Sequence, residues 1–225
     1  RSTSTLPHFI FCIFRLLAWC FILTAALPLL GQYILSTGGM FPLSAILHKM
    51  PSGGDSMQEM IFQASQGYPM PECLCYNTAD LRMLTEFYSG RTSELTTTMQ
   101  YSYQSTILSS CRPEIAEAIG KINMVEMRHI SLLGRCITMM GGDPQFIRPA
   151  QKQYWHAGLV NYATDPCCML LGDMRAELDA ADAYRSAARF CCNAALCPLL
   201  ERLADDETLH AECLQKLIHM AGCCR

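Results

Sequence analysis

Charge is scarce in this 225-residue sequence: Asp, Glu, Lys and Arg make up 16% of it, against about 25% in ordinary soluble domains. With 51% of residues hydrophobic, that excludes a disordered chain and allows one domain with a sizeable core plus an additional segment. A basic excess is lacking too. The net charge is −3 and the pI about 6.1, which leaves out the electrostatic footprint of a nucleic-acid binder. Acid is missing altogether from residues 1–50, whose only fixed charges are Arg1, Arg15 and Lys49, while the remainder carries fourteen cations against all twenty acids, a balance of −6. The first fifty residues are thus a different material from the rest. Strand signals are lacking after Asn77. So are paired Cys-x-x-C knuckles: Cys73-Leu74-Cys75 is one residue short of the clamp used for zinc or iron.

Cysteine, by contrast, is abundant, with fourteen in the chain. Many fall inside helical patterns (Cys111, Cys136, Cys191, Cys192, Cys213), and Cys167–Cys168, Cys191–Cys192 and Cys223–Cys224 are adjacent pairs that do not bridge each other readily. The expectation is small apolar core filler in a reducing cytoplasm. Near the start, Leu16–Leu35 runs for twenty residues without a charge behind Arg15, about the span of a bilayer. Pro28 and Gly31-Gln32 interrupt the run and no small-residue cleavage site is clear. Two readings stay open: residues 8–35 as a membrane anchor or signal, or residues 1–50 as an extraneous tail. The sequence starts at Arg1, and Met40, Met50 and Met57 are each candidate starts. Gly and Pro punctuate 51–77, which reads as a linker or arm.

From Asn77 onward the pattern is helical. The first predicted helix runs from Thr78 to Ser110 behind Asn77 as N-cap, with Gly90 as a close-packing point or slight bend. Pro113 opens a second that stops at Gly141-Gly142. About twenty irregular residues follow, with Tyr154, Trp155 and Tyr162 among them. Asp165-Pro166 opens a third helix reaching Asn193, and Pro198 a fourth ending near Gly222. Short loops make antiparallel neighbours, and the long middle connection spans a bundle. The fold class is therefore all-α: residues 78–222 as a four-helix bundle of two antiparallel hairpins joined by a long crossover.

Two motifs match within it. The second helix carries Glu126-x-x-His129 and the fourth Glu207-x-x-His210. Residues three apart share one helix face, so each pair can bind a metal from one side. Eleven Glu and six His in this length give well under one such pair by chance. The other helices read Glu94-Leu with Tyr101 seven residues on, and Glu177-Leu with Tyr184 seven residues on. The offsets agree, 83 for the single glutamates and 81 for the motifs, as in a weak internal repeat of one hairpin. One Glu from each of two helices plus Glu-x-x-His from each of the other two is the known donor pattern of di-iron and di-manganese bundles. Four carboxylates neutralise two cations, and one imidazole each leaves open positions for oxygen, peroxide or water.

The segments SELTTTMQY, IAEAIGKINMVEMRHISLLG, YWHAGLVNYATD and LLERLADDETLHAECL carry a resemblance. From Leu84 to Ile218 the chain resembles the ferritin-like superfamily of di-metal carboxylate proteins, in its rubrerythrin-like and manganese-catalase-like branch. The resemblance implies Glu94, Glu126, His129, Glu177, Glu207 and His210 as ligands of two metal ions, manganese or iron, with Glu126 and Glu207 bridging. Tyr101 and Tyr184 are either hydrogen-bond partners of the carboxylates or aromatic packing. The implied activity is an oxidoreductase acting on hydrogen peroxide or dioxygen, in a homo-oligomer. The missing rubredoxin-type knuckles, and the absence of a clear third glutamate, tilt it toward a catalase-like cycle that needs no external donor. Iron handling and a structural, coat-like role are the alternatives. Among the other residues, Met124, Met127, Met139 and Met140 are expected to fill the core, and Asp205 and Asp206 to form a solvated face. Arg128 is expected beside a carboxylate, and His156, in the crossover, at the surface rather than along an access path; His48 and His219 have no supporting pattern.

Overall fold

The computed structural model describes residues 60–223. Expectations placed on 1–50, an anchor or signal among them, and on His48 lie outside the described residues. Among those described, no helix is long and apolar enough to cross a membrane.

The bundle is built from α1 (Thr78–Ser89), α2 (Glu94–Leu108), α3 (Pro113–Met139), α4 (Pro166–Phe190) and α5 (Cys197–Met220). The chain starts α1 behind Asn77, whose side chain accepts the Ala79 and Asp80 N–H groups. The single first helix expected from Thr78 to Ser110 is in fact two. Gly90 caps α1, then Ser93 restarts the helix by accepting from the Thr96 N–H and donating to the Gly90 carbonyl. Together α1 and α2 form the first member of the bundle. Pro113, Pro166 and Pro198 each sit in a first turn, where the missing N–H costs nothing. Gly141, at φ 79°, turns the chain out of α3.

α2 packs against α3, and α4 against α5. The crossover from Met140 to Asp165 contains a two-residue antiparallel ladder, Ile147–Arg148 with Gln153–Tyr154. The sequence predicts no strand there; the ladder is too short to leave a period-2 signal.

Two apolar layers fill the bundle. One gathers Leu84, Tyr88, Leu132, Leu133, Ile137, Leu199, Leu200 and Leu203. The other gathers Leu108, Ile115, Ile119, Ile122, Met169, Leu170, Leu214 and Leu217. Each fully buried Leu or Ile contributes roughly 1.5–3 kcal/mol. Between the layers lies a polar gap. On α3 the second layer ends at Ile122 and the first begins at Leu132, with Glu126 and His129 between; on α5 the gap falls between Leu203 and Leu214 and holds Glu207 and His210.

Residues 60–77 do more than link. Met60, Tyr68, Met70 and Leu74 pack against the bundle, and Arg202 holds the carbonyls of Ala64 and Gln66 at 2.8 Å each. The cysteine expectation holds for Cys136 and Cys213, which are buried. Cys73, Cys75, Cys111, Cys168 and Cys192 are exposed instead, because they fall on loops and helix ends. Cys167 and Cys223 form a disulfide that ties the start of α4 to the end of α5. Met124 and Met127 are 71% and 57% exposed and not core.

Candidate metal centre

The six residues with matching motifs converge in the polar gap. Glu94 is the first residue of α2, Glu126 and His129 lie one turn apart on α3, Glu177 is mid-way along α4, and Glu207 and His210 lie one turn apart on α5. All six are buried. They form two groups of four donors, Glu94–Glu126–His129–Glu207 and Glu126–Glu177–Glu207–His210, each with donor atoms within 4.8 Å of one another. Glu126 and Glu207 belong to both.

Both imidazoles point Nδ1 inward. His129 Nδ1 lies 3.1 Å from Glu207, 3.3 Å from Glu126 and 3.6 Å from Glu94. His210 Nδ1 lies 2.7 Å from Glu126 and 3.1 Å from Glu207. Outward, His129 Nε2 meets Asp206 Oδ2 and His210 Nε2 meets the Phe62 carbonyl, each at 3.0 Å. A carbonyl only accepts, and Asp206 is ionised. The proton that each ring keeps is therefore on Nε2, and Nδ1 is the lone pair free to bind a cation.

The tyrosines cross between helices. Tyr101 on α2 donates to Glu177 on α4, and Tyr184 on α4 donates to Glu94 on α2. Both phenols are fully buried and their pKa values stand well above the ordinary value, through burial and the carboxylates they face. They orient one oxygen of each carboxylate and leave the other for the centre.

Charge alone makes this cluster expensive for the bare protein. Burial and the Glu126 charge push Glu94 up to about 7, and burial with the Glu126 and Glu207 charges raises Glu177 well above the carboxylate range. Burial also works against Glu126 and Glu207, but the two histidines outweigh it and hold both below their ordinary value. Burial disfavours charged imidazoles, yet the facing carboxylates raise both histidines well above the usual range. With protein groups alone, the centre thus balances two carboxylates with two imidazolium ions and keeps protons on Glu177 and, below pH 7, Glu94. Beyond these contacts within the centre itself, both oxygens of Glu126, Oε1 of Glu207 and Nδ1 of His129 are buried without a hydrogen-bond partner. Unpaired donors of this type, aimed at one another, fit two divalent cations that would take the place of the protons.

Several residues that support the centre escape a reading of the sequence. Asp206, expected on a solvated face, is instead 0% exposed. It accepts from His129, from Tyr68 Oη (2.7 Å) and from the Ala64 N–H (2.7 Å), and pairs with Arg202 at 2.6 Å. Burial pushes its carboxyl up, but these four partners hold it down to about 2. The one local signal is Arg202, four residues earlier on the same helix face. Asp205, next to it, is exposed as expected. Arg128 lies over the Tyr68 ring at 5.9 Å rather than on a carboxylate, and His156 and His219 are exposed.

A family profile described as rubrerythrin matches residues 89–218, more than half of the chain. The chain belongs to the rubrerythrin family. Its fold is similar to that of the manganese catalase KatB from Anabaena. The wild-type crystal structure superposes with a TM-score of 0.63 at 21% identity, over 72% of this chain and 81% of that one. A second structure, of KatB from Anabaena PCC7120, gives 0.62 at 21% identity with the same coverage. Among curated proteins none matches the sequence. The family match and the likeness to KatB together establish a ferritin-like helical bundle. Glu94, Glu177 and the two Glu-x-x-His motifs fall inside the matched range.

Proposed function

We propose that the chain holds two metal ions, manganese or iron, and consumes hydrogen peroxide in a catalase-like cycle. Glu94 and His129 would hold one ion and Glu177 and His210 the other, with Glu126 and Glu207 available to both. The observation that carries this is the sharing of Glu126 and Glu207 between two four-donor groups. The ions would supply redox change between adjacent oxidation states. The protein's part is to fix the donors, exclude water and hold protons. Tyr101 and Tyr184 hold their carboxylates in one rotamer. His129 and His210 keep Nδ1 turned inward because Nε2–H is engaged on Asp206 and Phe62. The apolar layers on both sides keep the centre dry.

The fold likeness to a manganese catalase supports a cycle in which peroxide is both oxidant and reductant. A cytoplasmic location and a homo-oligomer belong to the same reading, and cell fractionation and sedimentation test them. The deciding experiment is metal content by mass spectrometry, on protein from cells supplied with iron and manganese, followed by peroxide turnover. Two manganese per chain with rapid turnover supports the proposal. Two iron with turnover only when a reductant is added makes it a peroxidase. Iron well beyond two per chain makes it a storage protein, and a folded chain without metal makes it structural.

A further inference from the structure

The turn joining α4 to α5 carries Cys191, Cys192 and Cys197. Cys191 is the C-cap of α4 and Cys197 the first residue of α5. Their sulfurs lie 3.5 Å apart, half-buried against the apolar layer. The backbone between them is held from outside the turn. The buried carboxylate of Asp80, on α1, accepts from the Cys192 N–H at 2.9 Å, the Asn193 N–H at 2.8 Å and the Asn193 side chain at 2.7 Å. Asn193 in turn bonds both the N–H and the carbonyl of Cys75. With the turn fixed, little chain entropy is left to lose on closing a ring between the two sulfurs. Among the described residues the pair is not part of a group of three or more metal donors. That favours thiol chemistry over metal binding. Burial, and then the Cys197 sulfur, push the Cys191 thiol up to about 12, and either sulfur can donate to the other.

We propose that Cys191 and Cys197 are a redox pair that hydrogen peroxide oxidises to a disulfide. In the first step one sulfur of the pair attacks one peroxide oxygen. An S–O bond forms, the O–O bond breaks, and the departing oxygen leaves as water with that thiol's proton. In the second, the other sulfur attacks the oxidised one. The S–S bond forms, the S–O bond breaks, and hydroxide leaves as water with the second thiol's proton. Two thiols and one peroxide give one disulfide and two waters, and the two electrons come from the two sulfurs. Exposed Cys192, beside the pair, is a place where an external thiol reaches the turn. The step uses none of the six residues of the metal centre and stands whether or not that centre is catalytic.

The test uses the full-length chain, reduced, freed of reductant and exposed to peroxide generated steadily by glucose oxidase, so that oxidant persists even if the centre consumes it. After alkylation and trypsin digestion, residues 190–202 form one peptide containing all three cysteines. The expected product is that peptide two hydrogens lighter, alkylated at Cys192 alone, and restored by dithiothreitol. Cys192→Ala should keep the ring; Cys191→Ala and Cys197→Ala should each abolish it with the helical circular dichroism unchanged. A ring through Cys192, sulfinic acid on either sulfur, or an unmodified peptide under conditions that oxidise Cys111 overturns the proposal. Each of these three outcomes is read on the wild-type chain, so none depends on a variant that folds.

Discussion

Glu94 and His129 on one side of the centre, and Glu177 and His210 on the other, come from the same repeat yet sit in different surroundings. Glu94 opens a helix, at the positive end of its dipole; Glu177 lies mid-helix. His129 leans on an ionised carboxylate, Asp206, whereas His210 leans on a neutral carbonyl. The repeat explains where the asymmetry enters. The position matching Asp206 across the 81-residue offset is Val125, and the position matching Asp173 across the 83-residue offset is Gly90. Repetition thus preserved the donors and changed what supports them. A carboxylate behind an imidazole makes it a more basic ligand than a carbonyl does, so the two ions would be held unequally.

The largest effect should come from removing what the halves share. Glu126→Ala or Glu207→Ala takes a donor from both groups and should abolish binding of both ions and bring peroxide turnover to background, with helical content retained. His210→Ala should instead leave one ion per chain, again with turnover at background. Metal content and turnover read all three, and a Glu126→Ala protein that keeps two ions and full turnover would sink the shared-bridge assignment.

Next in size is the support behind His129. Arg202 is 4% exposed and paired with fully buried Asp206. Arg202→Met should destabilise the fold by about 3–5 kcal/mol, since it leaves an uncompensated buried charge. It should also free the arm, read as faster proteolysis between residues 60 and 70. Asp206→Asn is milder on the fold and sharper on the comparison. It should weaken one of two metal-binding steps by about 10–100-fold. Phe62→Ala, which keeps the carbonyl behind His210, should leave the other step unchanged. Calorimetric titration resolves the steps; a uniform loss at both would show that the halves are equivalent.

What is legible in the sequence is what local spacing encodes. Glu126–His129 and Glu207–His210 are single-turn motifs, and Pro113, Asp165-Pro166, Pro198 and Gly141 mark helix ends through local backbone chemistry. The repeat also marks Tyr101 and Tyr184, but their partners, Glu177 and Glu94 on the opposite helices, are set by the packing of α2 and α4 and have no local signature. Asp206 is easily misread because a run of Asp205-Asp206-Glu207 looks solvated, and its partners Ala64 and Tyr68 lie 142 and 138 residues away. The arm reads as a linker because its Gly and Pro residues report turns, and contacts with α5 have no local signature. The break between α1 and α2 is visible as Gly90 and Ser93, but a glycine inside a helical pattern is also compatible with a continuous helix.

Asp173 gives a pH-dependent difference between the halves. It is fully buried, one turn before Glu177, and accepts from Gln100 at 2.7 Å and Gln104 at 3.1 Å. Burial pushes its carboxyl up to about 7 against the help of both glutamines. A raised carboxyl favours the protonated folded chain. Its contribution is complete below the unfolded value, about 4, and is lost as pH rises from there through 7. Asp173→Asn removes that loss. The melting temperature of the variant should gain on the wild type between about pH 5 and pH 8; a constant difference across that range would show that Asp173 is already ionised at its acid end.

The smallest effect concerns how each terminal glutamate is anchored. Ser93 accepts from the Thr96 N–H at 3.3 Å and donates to the Gly90 carbonyl at 3.0 Å, so it both starts α2 and sets the position of Glu94. Ser93→Ala should cost about 1 kcal/mol of stability. Because the lost cap is next to Glu94, part of that cost should appear as a few-fold weaker binding at the His129 side. The matching position before Glu177 is Ala176, exposed in the interior of α4 with no cap to provide. Ala176→Ser should cost about 0.5 kcal/mol through helix propensity alone and leave both metal-binding steps where they were. If Ala176→Ser and Ser93→Ala instead shift the two steps alike, the helix break plays no part in making the halves unequal, and the difference rests on Asp206.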